Sequence, residues 1–317
     1  MQHNKRRESS EYAYLSLVKE ILETGEERGD RTGTGTISVF GPQVSYDIRE
    51  FFPLISTKTV GLKTIFEELI WMLRGQTNNN TLKRKKVNIW TENSDSHHKK
   101  MVKRQIEKNG VSTHVDGDMG PLYGYQWRSF GGDYKPVVYP ENATEDEKIA
   151  IEDKRHIGEG FDQIAWIINE IRTNPESRRI KLSAWNPKAI DDMALPPCHD
   201  SCTFYVSRKK YLHCKLHMRS NDIFLGAPFN IGQYALLTYM IASMTGYVPG
   251  NLIHTIDDAH IYSNHVEQMK QQLLRPVRDL PTLKVLRVPE KIEEFEFSDF
   301  KLSGSNPHPS IKGDMAV

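Results

Sequence analysis

The chain has 317 residues, 38% of them hydrophobic and 26% charged, enough apolar material for a real core in one large domain or two ordinary ones. A formal net charge of +1 gives no long-range field that would gather nucleic acid or a membrane surface. The cysteines are Cys198, Cys202 and Cys214 alone. A set so sparse and odd argues against a disulfide scaffold and for a reducing, cytoplasmic setting.

Residues 1–10 are polar, lack the apolar core of a signal peptide, and read as a flexible tail ahead of a single domain over 11–317. Tyr14, Leu15, Val18, Ile21 and Leu22 follow helical spacing, with Gly25 where a C-terminal cap belongs. A polar run, Glu26 to Thr36, precedes a strand pattern at Val44, Tyr46 and Ile48. Leu62, Ile65, Leu69 and Leu73 predict a second helix, and Phe161, Ile164, Ile168 and Ile171 a third. Between them, residues 135–159 carry Pro136, Pro140 and many charges, and read as an inserted, exposed loop. Strands are expected at Ile180 to Trp185, Cys198 to Val206 and Tyr211 to Ser220. Residues 230–246 are apolar on most faces and read as a buried helix too short to span a bilayer. A helix from His260 to Leu274 and a last strand from Thr282 to Val288 complete the reading. No strict βαβ alternation emerges, so an α+β fold is expected, a mixed sheet packed with helices.

Cys198 is the first candidate for chemistry, in Leu195-Pro196-Pro197-Cys198-His199-Asp200. A thiol attacks as thiolate, and a nearby guanidinium favours that form. On the second strand of the hairpin, Tyr211, His213, Lys215, His217 and Arg219 share one face, and Leu212, Cys214, Leu216 and Met218 the other. With the turn centred on Arg208-Lys209, antiparallel pairing sets Cys198 opposite Arg219. The turn lacks glycine, so a slip of one or two residues stays open. Cys202 and Cys214 sit on apolar strand faces and read as buried small residues. A zinc site from Cys198, Cys202, Cys214 and His213 has a permitted C-x₃-C spacing. It lacks a second compact pair, however, and its two leading cysteines lie a strand's length apart, so no metal is expected.

Three arginine segments look like loop ends: Asp30-Arg31-Thr32-Gly33-Thr34-Gly35, Ser177-Arg178-Arg179 and Arg219-Ser220. The first is glycine-rich but lacks the Lys-Ser/Thr of a phosphate loop and leads into a strand. Each alone reads as a solvated surface arginine; beside a reactive cysteine they suit a phosphate monoester. The basic runs Lys83 to Lys86 and His97 to Lys100 read as solvated faces.

These motifs are similar to the thymidylate synthase family. The resemblance rests on Leu195-Pro196-Pro197-Cys198-His199, Arg219-Ser220-Asn221-Asp222, Leu225-Gly226-Ala227-Pro228-Phe229-Asn230-Ile231 and Asp258-Ala259-His260-Ile261-Tyr262-Ser263-Asn264-His265. Asp30 to Thr36, Gly120 to Trp127, Arg178-Arg179 and Met315-Ala316-Val317 extend it, in order, from about residue 11 to the end. It implies reductive methylation of deoxyuridylate (dUMP) to thymidylate (dTMP), a step of nucleotide biosynthesis. The donor of carbon and hydride would be 5,10-methylenetetrahydrofolate, leaving dihydrofolate. It also implies a homodimer joined through a sheet face.

The roles it implies are as follows. Cys198 adds to C6 of the uracil ring, Glu68 organises a proton-transfer water network and Tyr123 assists proton removal at C5, while His199 supports the cysteine. Arg31, Arg219 and Ser220 hold the 5′-phosphate, joined by Arg178 and Arg179 from the partner subunit. Asn230 reads the base, its amide accepting from N3–H and donating to O4. His260 and Tyr262 bind the ribose, and Asp222 contributes to the nucleotide and folate sites. Lys58, Trp90, Gly226, Phe229 and Val317 contact or enclose the folate.

Several positions depart from the usual family pattern: Asp200 and Thr203 after Cys198-His199, Met218 before Arg219, Gly232-Gln233 after Asn230-Ile231, and Asp257 before Asp258. They keep one alternative in play, and a second comes from another class of function. One is a hydroxymethylase of the same fold, in which water replaces hydride; Asn230, which suits uracil over cytosine, and the Met315-Ala316-Val317 end favour the synthase. The other is an inactive relative that binds messenger RNA or a protein, against which the near-neutral charge and full catalytic set weigh.

Overall fold

A computed structural model of the chain describes residues 2–30, 32–135 and 138–314, with side chains from residue 11 onward. In chain order its elements are α1 (Gln2–Thr24), β1 (Glu26–Arg28), β2 (Thr36–Phe40), β3 (Gln43–Asp47), α2 (Leu62–Leu73), α3 (Asn80–Arg84), α4 (Thr91–Asn109), α5 (Tyr123–Ser129), α6 (Glu145–Glu152) and α7 (Gln163–Thr173). Then follow β4 (Lys181–Ser183), β5 (His199–Val206), β6 (Tyr211–Asp222), α8 (Gly226–Thr245), β7 (Val248–Tyr262), α9 (Val266–Leu273), β8 (Thr282–Val285) and β9 (Phe300–Ser303). The fold is α+β, as the mixed pattern predicts. The chain forms two compact units: Met1–Phe66, Ile168–Lys181 and Cys198–Val317 make the first, Glu67–Ile167 and Leu182–Pro197 the second.

The first unit is built on a mixed sheet in which β1, β2, β7, β6 and β5 follow in that order, with β3 also paired to β7. The long β7 serves β3 with its first half and β2 with its second, both antiparallel. Its other edge pairs with β6 in parallel, α8 making the crossover that a parallel pair requires. Leu212, Cys214, Leu216 and Met218 of β6 and Leu252, His254 and Ile256 of β7 are buried on the face that packs against α8. That helix is apolar nearly all round, as a core helix should be. α1 packs on β2 and β3, and the hydroxyl of Tyr14 donates to the Ile223 carbonyl at 2.8 Å. On the opposite sheet face His213 and His217 are half-buried and Tyr205 is exposed.

In the second unit Trp71, Tyr125 and Trp127 are almost fully buried. Arg128 is enclosed with them, its charge met by two hydrogen bonds to Asp162, at 3.0 and 2.9 Å, and one to the Leu73 carbonyl. A guanidinium taken from water is tolerable only when so fully paired.

Four expectations need correction. The helix expected from His260 starts only at Val266, because β7 runs on through Tyr262. His260 pairs with Ser38 on one side and Asp222 on the other, and two ladders outweigh helical spacing. α1 begins within the stretch read as a tail, since polar residues of good helix propensity extend a helix whose apolar end is anchored. The segment near 135–159 is more than a loop. It carries α6, opened by a Thr144–Glu147 capping box, with Glu152 and Asp153 bonded to Asn80, Thr81 and Arg84. The first basic run is largely paired rather than solvated, with Lys85 meeting Glu67 at 2.7 Å; in the second, His97 is buried on α4 while Lys99 and Lys100 are exposed as expected.

Candidate active site

The β5–β6 hairpin positions Cys198. Val206 pairs with Leu212 and Ser201 with His217, one residue out of step with a turn centred on Arg208-Lys209. Lys210, at φ 62°, takes the left-handed turn position that a glycine would fill more cheaply. A β-bulge between His199 and Ser201 then shifts the register, so that His199 pairs with Met218. The Arg219 amide accordingly donates to the Cys198 carbonyl at 3.0 Å, and Arg219 Nη2 lies 3.7 Å from Cys198 Sγ. The expected juxtaposition exists, reached through a slipped turn and a compensating bulge. Cys202 and Cys214 are buried, and burial pushes the Cys202 thiol well up, Cys214 adding to the shift.

The bulge also governs His199. It is buried on the helix-covered face, its Nδ1 2.8 Å from the Tyr234 hydroxyl of α8. Burial, then the proximity of His254, pulls its pKa to about 3, so this imidazole is neutral.

At the C-terminal ends of β6 and β7 further candidates gather. Ser220 pairs with Asp258 and Asp222 with His260. His260 Nδ1 lies 2.9 Å from Asp258 Oδ1, and Arg28 donates to the same carboxylate at 3.1 Å. The rings of His260 and Tyr262 meet edge to face at 5.2 Å. Asp222 Oδ1 accepts from the amides of Phe224 and Leu225, ordering the entry to α8. Asn230, one turn into α8, accepts from Asn221 Nδ2 at 3.0 Å, which orients its amide. A Cβ on Gly226 would come within 3.3 Å of Asn221 Nδ2 and 3.5 Å of Asn230 Oδ1, so glycine keeps that space clear. Phe229 is half-buried beside them.

Lys58 is buried, donates to the Phe224 carbonyl and sits 3.8 Å above the Phe224 ring. Burial lowers its pKa to about 8 against the opposing pull of Asp222. The loop bearing it is pinned by Glu11, a buried carboxylate that accepts from the Ser56 amide and hydroxyl and the Thr57 amide at 2.6–2.8 Å. Gly313 and Asp314 also belong to this neighbourhood. A Cβ on Gly313 would touch Phe224, and the Asp314 carbonyl lies 2.8 Å from His265 Nε2.

The second unit holds a separate cluster. Glu68 is buried on α2 and accepts from Trp90 Nε1 at 2.7 Å. The Trp90 ring lies 5.9 Å from that of buried Tyr123. Burial raises the Glu68 pKa to about 7, only partly countered by the indole hydrogen bond. A carboxyl half-protonated near neutrality is suited to passing protons.

Arg178 and Arg179 are exposed, and among the described residues neither makes a side-chain hydrogen bond or ion pair, so the cysteine cluster of this chain does not hold them. Arg31 and Val317 lie outside the described residues. Next to it in sequence, Asp30 accepts from the Thr32 and Gly35 amides at 2.8 and 2.7 Å. Among the described residues no group of three or more His, Cys, Asp or Glu side chains is placed to hold a metal ion.

A family model described as thymidylate synthase matches residues 12–317, spanning both units. The chain is 47% identical to the human thymidylate synthase over 97% of its own length and 91% of that protein's. It is 46% identical to the enzyme of Equine herpesvirus 2, over 97% and 98% of the two chains. It is 43% identical to that of varicella-zoster virus, strain Dumas, over 98% and 95%. The chain belongs to the thymidylate synthase family.

Within that family's pattern, the structure accounts for several of this chain's departures. Gly232 makes room for Ile65, whose Cδ1 lies 2.7 Å from where a Cβ would stand. Met218 places its sulfur 3.0 Å from His254 Nε2 in the core. Asp200 and Asp257 both bond His217. Nothing in the structure explains Thr203. Sequence reasoning missed Asn221 and Glu11. Asn221 stood inside a quoted motif, one residue before Asp222, whereas a carboxylate 45 residues from its partner leaves no local signal.

Proposed function

We propose that the chain converts dUMP to dTMP through a covalent Cys198 adduct, as a methyltransferase using 5,10-methylenetetrahydrofolate. The observation that carries this reading is the guanidinium of Arg219 3.7 Å from Cys198 Sγ, on the strand whose end pairs Asp222 with His260 and bonds Asn230 through Asn221. Positive charge at that distance favours thiolate. Cys198 Sγ adds to C6 and makes C5 nucleophilic, so that C5 takes the one-carbon unit. Loss of the C5 proton, assisted by Tyr123 and the water network of Glu68, expels tetrahydrofolate. Hydride from that folate reduces the exocyclic methylene; expulsion of Cys198 releases dTMP and dihydrofolate.

Arg219, Ser220 and Arg31 grip the phosphate, Asn230 reads the base, His260 and Tyr262 hold the ribose, and His199 supports the cysteine through Tyr234. Lys58, Trp90, Asp222, Gly226, Phe229 and Val317 form the folate site. The half-exposed sheet face joins two copies, and Arg178 and Arg179 of the partner subunit complete the phosphate site. Among the described residues these two arginines have no side-chain partner, which supports this. No helix among the described residues is long and apolar enough to cross a membrane, and all three cysteines are free, which suits a cytoplasmic enzyme.

Product mass and dihydrofolate absorbance test the reaction. A methyl product with stoichiometric dihydrofolate is expected, and a hydroxymethyl product without it would overturn the reading. Mixing Cys198→Ala with Arg178→Ala subunits is expected to restore part of the activity through one intact site per heterodimer. No restoration, with subunit exchange verified, would refute the shared site.

A further inference from the structure

Beyond the residues given roles above, one titratable cluster lies on the half-exposed face of the hairpin. His217 Nδ1 is 2.8 Å from Asp200 Oδ1, and its Nε2 is 3.0 Å from Asp257 Oδ1. Both ring nitrogens thus face carboxylate oxygens, which accept only. A neutral imidazole has one N–H and can satisfy one of them; the imidazolium satisfies both. Asp200 is the residue at the β-bulge, Asp257 lies on β7, and His217 spans the two from β6 between them. Without the bulge, the Ser201–His217 register would set Arg219 opposite His199 instead of Cys198.

We propose that Asp200, His217 and Asp257 form a proton-dependent brace that holds the bulge, and so keeps Arg219 beside Cys198, making His217 a positioning residue for the nucleophile. The proposal rests on the reading of Cys198 as nucleophile and adds a group that tunes it.

The charged groups facing His217 are Asp200 from β5, Asp257 from β7, and Lys215 and Arg219 two residues away on its own strand. Partial burial pulls the imidazole pKa down, but hydrogen bonds and charge from Asp200 and then Asp257 outweigh it and leave the pKa above the ordinary 6.5. Because the folded value is raised, the brace is complete at low pH and is lost as pH rises through that value. Above it, one carboxylate faces a ring lone pair and the bulge loses its tie to β7.

The test is the rate of Cys198 alkylation by iodoacetamide against pH in the full-length protein, with the modified residue located by mass, alongside the pH profile of kcat/KM. Buried Cys202 and Cys214 leave Cys198 as the reactive site. His217→Phe is expected to slow alkylation about fivefold below neutrality and to lower kcat/KM there, through a less favoured thiolate. His217→Arg, a donor to both carboxylates at every pH, should keep fast alkylation and lose the alkaline limb. Asp257→Asn covers the case in which His217→Phe does not fold. With one carboxylate charge removed, its alkaline limb should move to lower pH. Alkylation within about twofold of wild type in His217→Phe, or an unmoved limb in Asp257→Asn, would refute the brace. Alkylation that responds as expected in a protein that makes no dTMP would instead uphold the brace and overturn the functional reading.

Discussion

Cys198 and Cys202 lie four positions apart at one end of the same strand pair, yet their surroundings differ in kind. Cys198 is partly accessible, just before the bulge, with a guanidinium 3.7 Å from its sulfur. Cys202 is sealed between sheet and helix, and burial drives its thiol away from ionisation. The two histidines of the hairpin repeat the contrast. His199 is buried and neutral, whereas His217 lies between two carboxylates on the opposite, half-exposed face with its pKa raised. What separates the candidate nucleophile from the sealed thiol, and one histidine from the other, is which face of the hairpin each occupies and what charge waits there, not residue type.

The sharpest way to break this comparison is to exchange the cysteines' expected roles. Cys198→Ala should lower kcat by about 10³-fold or more with thermal stability nearly unchanged. Cys202→Ala should leave kcat alone and cost about 1–2 kcal/mol in denaturant unfolding, the expense of a small core cavity. Equal losses of kcat in both would erase the distinction.

Glu68 extends the comparison to the second unit, where burial again sets the protonation balance. Glu68→Gln should lower kcat about 10²-fold, the usual size of a lost proton-transfer group. Its folded pKa, about 7, is raised, so wild type loses stability as pH climbs from the ordinary carboxylate range through 7. Glu68→Gln should therefore be more stable than wild type by about 2 kcal/mol at pH 8 and no more stable at pH 4. Parallel denaturant curves at both pH values would sink this account.

His199 has the opposite sign. Its folded pKa is depressed to about 3, so its contribution is present above 6.5 and lost as pH falls below that value. Wild type should lose about 2 kcal/mol more than His199→Asn between pH 6.5 and 5, read from urea midpoints. The smallest effect belongs to the docking of α6. Arg84→Met removes partly exposed ion pairs to Glu152 and Asp153, and should cost under about 1 kcal/mol in thermal unfolding.

Much of the hairpin was legible because alternation is a local signal. The apolar set Leu212, Cys214, Leu216 and Met218 is buried as read. The pairing of Cys198 with Arg219 was reached from a register one residue off, and the bulge at Asp200 restored it. Nothing in the local sequence marks that bulge. β7 was missed because its strand character comes from β2, β3 and β6, which flank it from distant parts of the chain. Asn221 became a candidate only once its amide was seen on Asn230.

By itself, the sequence determined the candidate nucleophile, the order of motifs that places the chain in its family, and the two faces of the hairpin that presents Cys198. These are carried by residue type and short-range spacing. The tertiary structure alone decided the bulge, the Glu11 clamp on the Lys58 loop, the protonation balance of Glu68 and the clasp of His217 by Asp200 and Asp257. Each depends on groups remote in sequence coming within about 3 Å in a partly dry environment, where hydrogen bonds and charge count for far more than in water.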